Sequence, residues 1–145
     1  MELDTSKWTI NPRLKKHDSL LLKYCQKHGG TTFAGAKLKG DPFVYPRQID
    51  GIRFASRTHG LISWARRDAG EFERHLCHAR QGRLPVEVIE VTPYLGRYVV
   101  GQVVVGGWLL KGYKVKVAEV LVCPKASQEL KAFFRKHNIL LWTPH

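Results

Sequence analysis

The stretch Val86-Glu87-Val88-Ile89-Glu90-Val91-Thr92, set off by Pro85, constrains the fold more than any other part of the chain. Its β-branched residues favour an extended backbone. Successive side chains of a strand point to opposite faces, so Glu90 and Thr92 share one face and Glu87 takes the other. A carboxylate flanked by valines in such a run must be paired or bound to a cation, because burying it alone is costly. A second segment poses the same problem. In Arg47-Gln48-Ile49-Asp50-Gly51-Ile52-Arg53, Asp50 sits among apolar strand residues.

The rest of the chain reads as alternating helices and strands. Pro12 to His28 predicts a helix, capped by Asn11, with Pro12 in its first position and an apolar face of Leu14, Leu20, Leu21 and Tyr24. Gly29-Gly30 stops it, and residues 31–42, rich in Gly, Lys and Thr, read as a basic loop. Phe43 to Ala55 reads as a strand, Thr58-His59-Gly60 as a turn, and Leu61 to Ala65 as the returning strand. Asp68 is the expected cap of a helix over residues 70–80.

Residues 94–110 admit two readings. Leu95, Val99, Val103, Gly106 and Leu110 recur at helical spacing, whereas the valine pairs favour a β-meander; the helix is the preferred reading. Tyr113 to Cys123 predicts a strand ended by Pro124. Ser127 caps a helix to His137, and Ile139 to Trp142 forms a last strand. The order implies an α/β protein with a central mixed β-sheet flanked by helices. With 145 residues and no linker, it is expected to be one domain over residues 12–145, preceded by a loose arm over residues 1–11.

Charge narrows the partner. Lys and Arg number 24 against 12 acidic residues, a net charge of +12. An excess this large on one small domain attracts polyphosphate through charge neutralisation and counterion release. Lys37 and Lys39 in the glycine-rich segment, with Arg47, Arg53, Arg57, Arg66 and Arg67 around Asp50, are the expected nucleic-acid contacts. No apolar run approaches the ~20 residues that span a bilayer, and no basic amphipathic helix suggests a membrane surface. The start lacks the pattern of a signal peptide, so a cytoplasmic protein is expected. The three cysteines stand at unrelated spacings and read as small, mostly buried thiols. His17 and His59 read as surface or capping residues, and Trp8, Trp64, Trp108 and Trp142 as core or interface.

Two carboxylates on adjacent strands repel each other, and a divalent cation relieves that repulsion. Mg²⁺ is satisfied by one or two carboxylates, waters and substrate phosphate oxygens. Asp50 followed by Glu90-x-Thr92, then Gly101-Gln102 in the next segment, resembles the PD-(D/E)xK nuclease superfamily. The resemblance implies a restriction-endonuclease-like core of order α-β-β-β-α-β with an inserted helix. It implies Asp50 and Glu90 as ligands of Mg²⁺ (or Mn²⁺), and Asp50, Glu90, Thr92 and Gln102 as catalytic residues for phosphodiester hydrolysis, in DNA by preference. It also implies a homodimer. Thr92 stands where the family has lysine, which leaves open an active variant or a degenerate fold that binds DNA or RNA without cutting.

Overall fold

The computed structural model describes residues 1–40 and 43–144. The elements are a 3-10 turn at Pro12–Leu14 running into α1 (Lys15–His28), β1 (Thr31–Gly40), β2 (Phe43–Phe54), β3 (Gly60–Ser63), α2 (Glu71–Gly82), β4 (Pro85–Val91), α3 (Arg97–Lys111), β5 (Lys116–Val122), α4 (Gln128–Lys136) and β6 (Ile139–Trp142). The six strands form one mixed sheet in the order β3-β1-β2-β4-β5-β6. β1, β2 and β4 are successively antiparallel, β5 and β6 continue parallel to β4, and β3 lies parallel to β1 at the edge.

Alternation along β4 sorts the core into two layers. Val86 and Val88 face Val99, Val103, Leu110, Phe72 and Phe134 of the helices α2, α3 and α4. Ile89 and Val91 face Leu20, Leu21, Tyr24 and Cys25 of α1. The preferred helical reading of residues 94–110 holds, because the buried stripe of Val99, Val103, Gly106 and Leu110 packs on the sheet. That packing outweighs the β preference of the valines. α3 comes very close to the sheet at its glycines: a Cβ on Gly106 would lie 3.1 Å from Val88 Cγ1 and 3.4 Å from Ile49 Cδ1.

Two expectations are corrected. Residues 31–40, read as a basic loop, form β1, which pairs with β2 from Thr31↔Phe54 to Gly40↔Phe43; positions 41 and 42 lie outside the described residues. Phe33, Ala36 and Leu38 are buried while Lys37 and Lys39 project to solvent, so the alternation skips a place at Gly35, whose φ is 66°. That break hides the strand from a period-2 reading. β3, read as the returning partner of β2, instead pairs with β1.

Ends and caps follow side-chain chemistry. Asn11 Oδ1 accepts from Arg13 N at 3.0 Å, and Ser127 Oγ accepts from Leu130 N at 3.1 Å. Asp68 does not cap α2 with its carboxylate, which pairs with Lys7 at 2.8 Å. The first residues are not loose. Asp4 N donates to the His59 carbonyl at 2.8 Å, Leu61 N donates to the Asp4 carbonyl at 3.0 Å, and Trp8 packs on the α1 side of the core. Cys25 and Cys123 are buried as expected, while Cys77 is exposed.

The α1–β1 junction depends on Gly30, whose φ is 74° and where a Cβ would stand 2.3 Å from the Phe54 carbonyl oxygen. Strain and a backbone clash therefore combine at one position. Gly30→Ala is expected to lower unfolding free energy by at least about 2 kcal/mol. Gly101 is exposed on α3 with nothing within 4 Å of a built Cβ. Gly101→Ala is expected to gain up to about 1 kcal/mol from helix propensity. Urea denaturation of both variants checks the pair of opposite signs.

Candidate active site

The β2–β4 ladder runs from Phe54↔Val86 to Gly51↔Ile89 and stops there. One residue further, side chains replace it. Asp50 Oδ2 accepts from Val91 N at 2.8 Å. The Glu90 carboxyl lies against the backbone N–H of Asp50 and hydrogen-bonds the Asp50 carboxylate. The structure thus brings together the two carboxylates singled out in the sequence, at the end of two neighbouring strands. Next to Asp50 the strand packs tightly under α1, for a Cβ on Gly51 would be 3.2 Å from Thr32 Cγ2 and 3.3 Å from Leu21 Cδ1.

Neither carboxylate is well solvated. Glu90 is 4% exposed. Burial first, then the charge and hydrogen bond of Asp50, pushes its pKa up to about 10. Burial also opposes ionisation of Asp50, but hydrogen bonds from His17 and Glu90 outweigh it and hold its pKa below the ordinary value. Around neutral pH the pair therefore carries one shared proton, with the charge on Asp50.

His17, on the first turn of α1, is the residue that sequence reasoning placed at the surface. Its Nε2 lies 3.0 Å from Asp50 Oδ2 and its Nδ1 lies 3.1 Å from Asp18 Oδ1. Asp18 is itself fixed by Asn11 N at 2.7 Å. Burial disfavours the imidazolium, yet the two carboxylates more than offset it and raise the pKa of His17. Nothing in the local sequence announces this contact. It spans 33 positions and exists only because α1 lies across the sheet with its first turn over β2.

The other expected residues separate into groups. The positive charge of Arg47 favours the ionised form of Glu90. The Thr92 hydroxyl is engaged locally: it donates to the Tyr94 carbonyl and accepts from Tyr94 N at 3.1 Å. It therefore shapes the turn into α3 and supplies no lysine-like charge. Gln102 is exposed on α3. Since Gly106 abuts Val88, the turn before it, about 6 Å along the helix, runs level with Glu90, about 6.6 Å along the strand.

Among the basic candidates, Lys37 and Lys39 reach solvent, Lys37 paired in register with Gln48 two residues from Asp50. Arg53 is corrected: its side chain is 12% exposed and bonded in three directions, to Glu87 Oε2 at 3.1 Å, Gly29 O at 2.7 Å and His28 O at 2.8 Å. It closes the carbonyl end of α1 and cannot also hold a phosphate. Tyr24 OH donates to the same Glu87 at 2.7 Å. Arg57 lines a 660 Å³ cavity bordered by Pro85, at the opposite end of β4 from Glu90. Arg66 and Arg67 follow β3 at the far edge of the sheet, and Arg67 stacks over Trp64 at 3.6 Å. Arg57 is therefore remote from the acid pair, whereas Arg66 and Arg67 follow Ser63, which is level with Gly51 two strands away.

Among the described residues no group of three or more His, Cys, Asp or Glu side chains is arranged to hold a metal ion. No helix among them is long and apolar enough to cross a membrane. Compared with known proteins, the chain matches no family model, no curated protein and no solved structure.

The acid pair makes stability fall with rising pH. Glu90 keeps in the folded state a proton that the unfolded chain releases near its ordinary 4.5. His17, with its raised pKa, retains a proton that the unfolded chain releases near 6.5. Whenever the folded state binds more protons, stability declines as pH increases. Asp50 acts oppositely, but its contribution is complete just above 3.8, the ordinary value. The melting temperature is therefore expected to decline between about pH 5 and pH 9. Glu90→Gln, which keeps the shape without the acid, is expected to flatten that decline and melt higher at pH 8, by about 3–5 °C per kcal/mol gained. Differential scanning calorimetry across this range checks both.

Proposed function

We propose that this protein is a Mg²⁺-dependent (or Mn²⁺-dependent) endonuclease that hydrolyses phosphodiester bonds in DNA. The observation that carries the reading is the buried Asp50–Glu90 pair, two carboxyls held so close that one keeps a proton at neutral pH. Two acids at adjacent strand ends repel each other unless a proton or a cation joins them, and a divalent ion can take the proton's place. Supporting it, α1, β1, β2, β4, α3 and β5 follow the order α-β-β-β-α-β, with β3 and α2 as the insertion. The net charge of +12 suits a polyanionic substrate.

The donor type suits a hard divalent ion, since Mg²⁺ takes one or two carboxylates and completes its coordination with water and phosphate oxygens. Asp50 and Glu90 would hold the ion, which when bound lowers the pKa of a coordinated water and offsets charge on the phosphate. The chain's own groups do the rest. His17 orients the Asp50 carboxylate. Arg47 favours the ionised form of Glu90 that a cation requires. Gln102, level with Glu90, offers its amide to the attacking water, while Lys37 and Lys39 neutralise backbone phosphates. The alternative, a degenerate nuclease that binds DNA or RNA without cutting, draws on one observation: Thr92 replaces the family's lysine and its hydroxyl is held in the turn by Tyr94.

Supercoiled plasmid, a branched duplex and single strands, each incubated with EDTA, Mg²⁺ or Mn²⁺, separate the readings. Wild type is expected to cut only with metal, and Asp50→Asn to lose at least about 100-fold in rate while binding persists. Mg²⁺ is also expected to raise the melting temperature of wild type and not of Asp50→Asn, because a ligand that binds only the folded state stabilises it. Tight binding with neither cutting nor metal stabilisation would select the non-catalytic alternative.

A further inference from the structure

Tyr94 and Tyr98 are 81% and 86% exposed, more than any other aromatic residue among those described. Tyr94 lies in the connection from Glu90 to α3 and Tyr98 in the first turn of α3, four and eight positions after Glu90. Their backbone is held in place. The Thr92 hydroxyl bonds both backbone groups of Tyr94. Tyr98 lies in the first turn of α3, beside Val99, which is buried against the sheet. Tyrosine pairs a broad apolar ring with a polar tip, and two such rings left in solvent four positions apart offer a surface to a partner.

Charge selects that partner. No Asp or Glu occurs between Val91 and Ala118, whereas Arg97 stands between the two tyrosines in sequence. α3 also begins with no acidic residue in its first turn and no side-chain cap, so its N-terminal peptide dipoles add positive potential there. A second copy of this chain would bring another Arg97 and another +12 to the same spot. A polyanion brings the opposite sign. Aromatic side chains meet the faces of bases only where a strand is unpaired, because a duplex already stacks those faces against each other.

We propose that Tyr94 and Tyr98 form a stacking platform for unpaired bases, so that the substrate is DNA with a single-stranded or branched element beside the scissile phosphate. This rests on the nuclease reading for the polymer, and the test keeps the two apart. Binding in EDTA is measured by anisotropy on a blunt duplex, a four-way junction and a single strand, the last also carrying 2-aminopurine to report stacking. Tyr94→Ala and Tyr98→Ala are each expected to weaken single-strand and junction binding about tenfold and to lose the 2-aminopurine quenching. Blunt-duplex affinity should stay within about twofold, since phosphate contacts elsewhere supply it. Tyr94→Phe and Tyr98→Phe should restore both signals. Unchanged single-strand binding in the alanine variants would overturn the platform and leave the nuclease reading standing, as would equal losses on every substrate. A dimer-to-monomer shift in sedimentation of the alanine variants would overturn it in favour of an interface between copies. Failure of wild type to bind any nucleic acid would overturn both.

Discussion

Two strands that should go on exchanging backbone hydrogen bonds stop doing so at Gly51 and Ile89, and two carboxyl groups take over. Asp50 accepts the Val91 N–H that the ladder would have used, while Glu90 turns back to the Asp50 N–H. The substitution satisfies the backbone but creates an electrostatic problem, since both acids sit where water is scarce. Retention of a proton on Glu90 and the approach of His17 are two answers to that problem. A divalent cation is a third, and it competes with the proton for the same oxygens. α1 is seated across the sheet by Leu20, Leu21, Tyr24 and Cys25 packing with Ile89 and Val91, and that seat brings His17 to Asp50.

The architecture around the pair shows which effects won. α3 is composed of residues that lean toward strand, yet it is a helix because its buried stripe matches a sheet face. Arg53 and Glu87 face each other across β2 and β4 on the α1 side, where Tyr24 and the last carbonyls of α1 join them. These groups form a closed polar cluster with few unmet hydrogen bonds, the condition under which buried charge is tolerated. The result is a basic residue that contributes to folding and is withdrawn from any role at the surface.

Much of the fold was legible in the sequence wherever one period dominated. β4, β5, α4 and β6 follow from alternation, helical spacing and a serine cap, and the opposite orientations of Glu87 and Glu90 follow from the pleat alone. β1 was hidden because its alternation slips at Gly35 and because glycine and lysine dilute its strand character. The partner of β3 was hidden for another reason: strand pairing across the sheet is a tertiary choice that a local pattern cannot express. In the site, Asp50 and Glu90 were visible as misplaced charges in apolar runs. His17 was not, since a histidine in the first turn of a helix looks ordinary until the helix is docked. The basic residues were legible only as a set; the sheet separates Lys37 and Lys39, exposed on β1, Arg53, bonded into the core, Arg57, at the other end of β4, and Arg66 and Arg67, which follow β3.

The glycine at position 106 fixes how near α3 comes to β4, because the contact there is made by missing atoms. A helix seated in this way is anchored along its length, from Val99 in its first turn to Leu110 in its last. Positions 94, 97, 98, 101 and 102 are nonetheless exposed, just before it and on its outer side. Natural variation can therefore rewrite what this face recognises while the acid pair, the core and the sheet stay as they are. In such a protein, the choice of substrate and the chemistry performed on it are free to evolve separately.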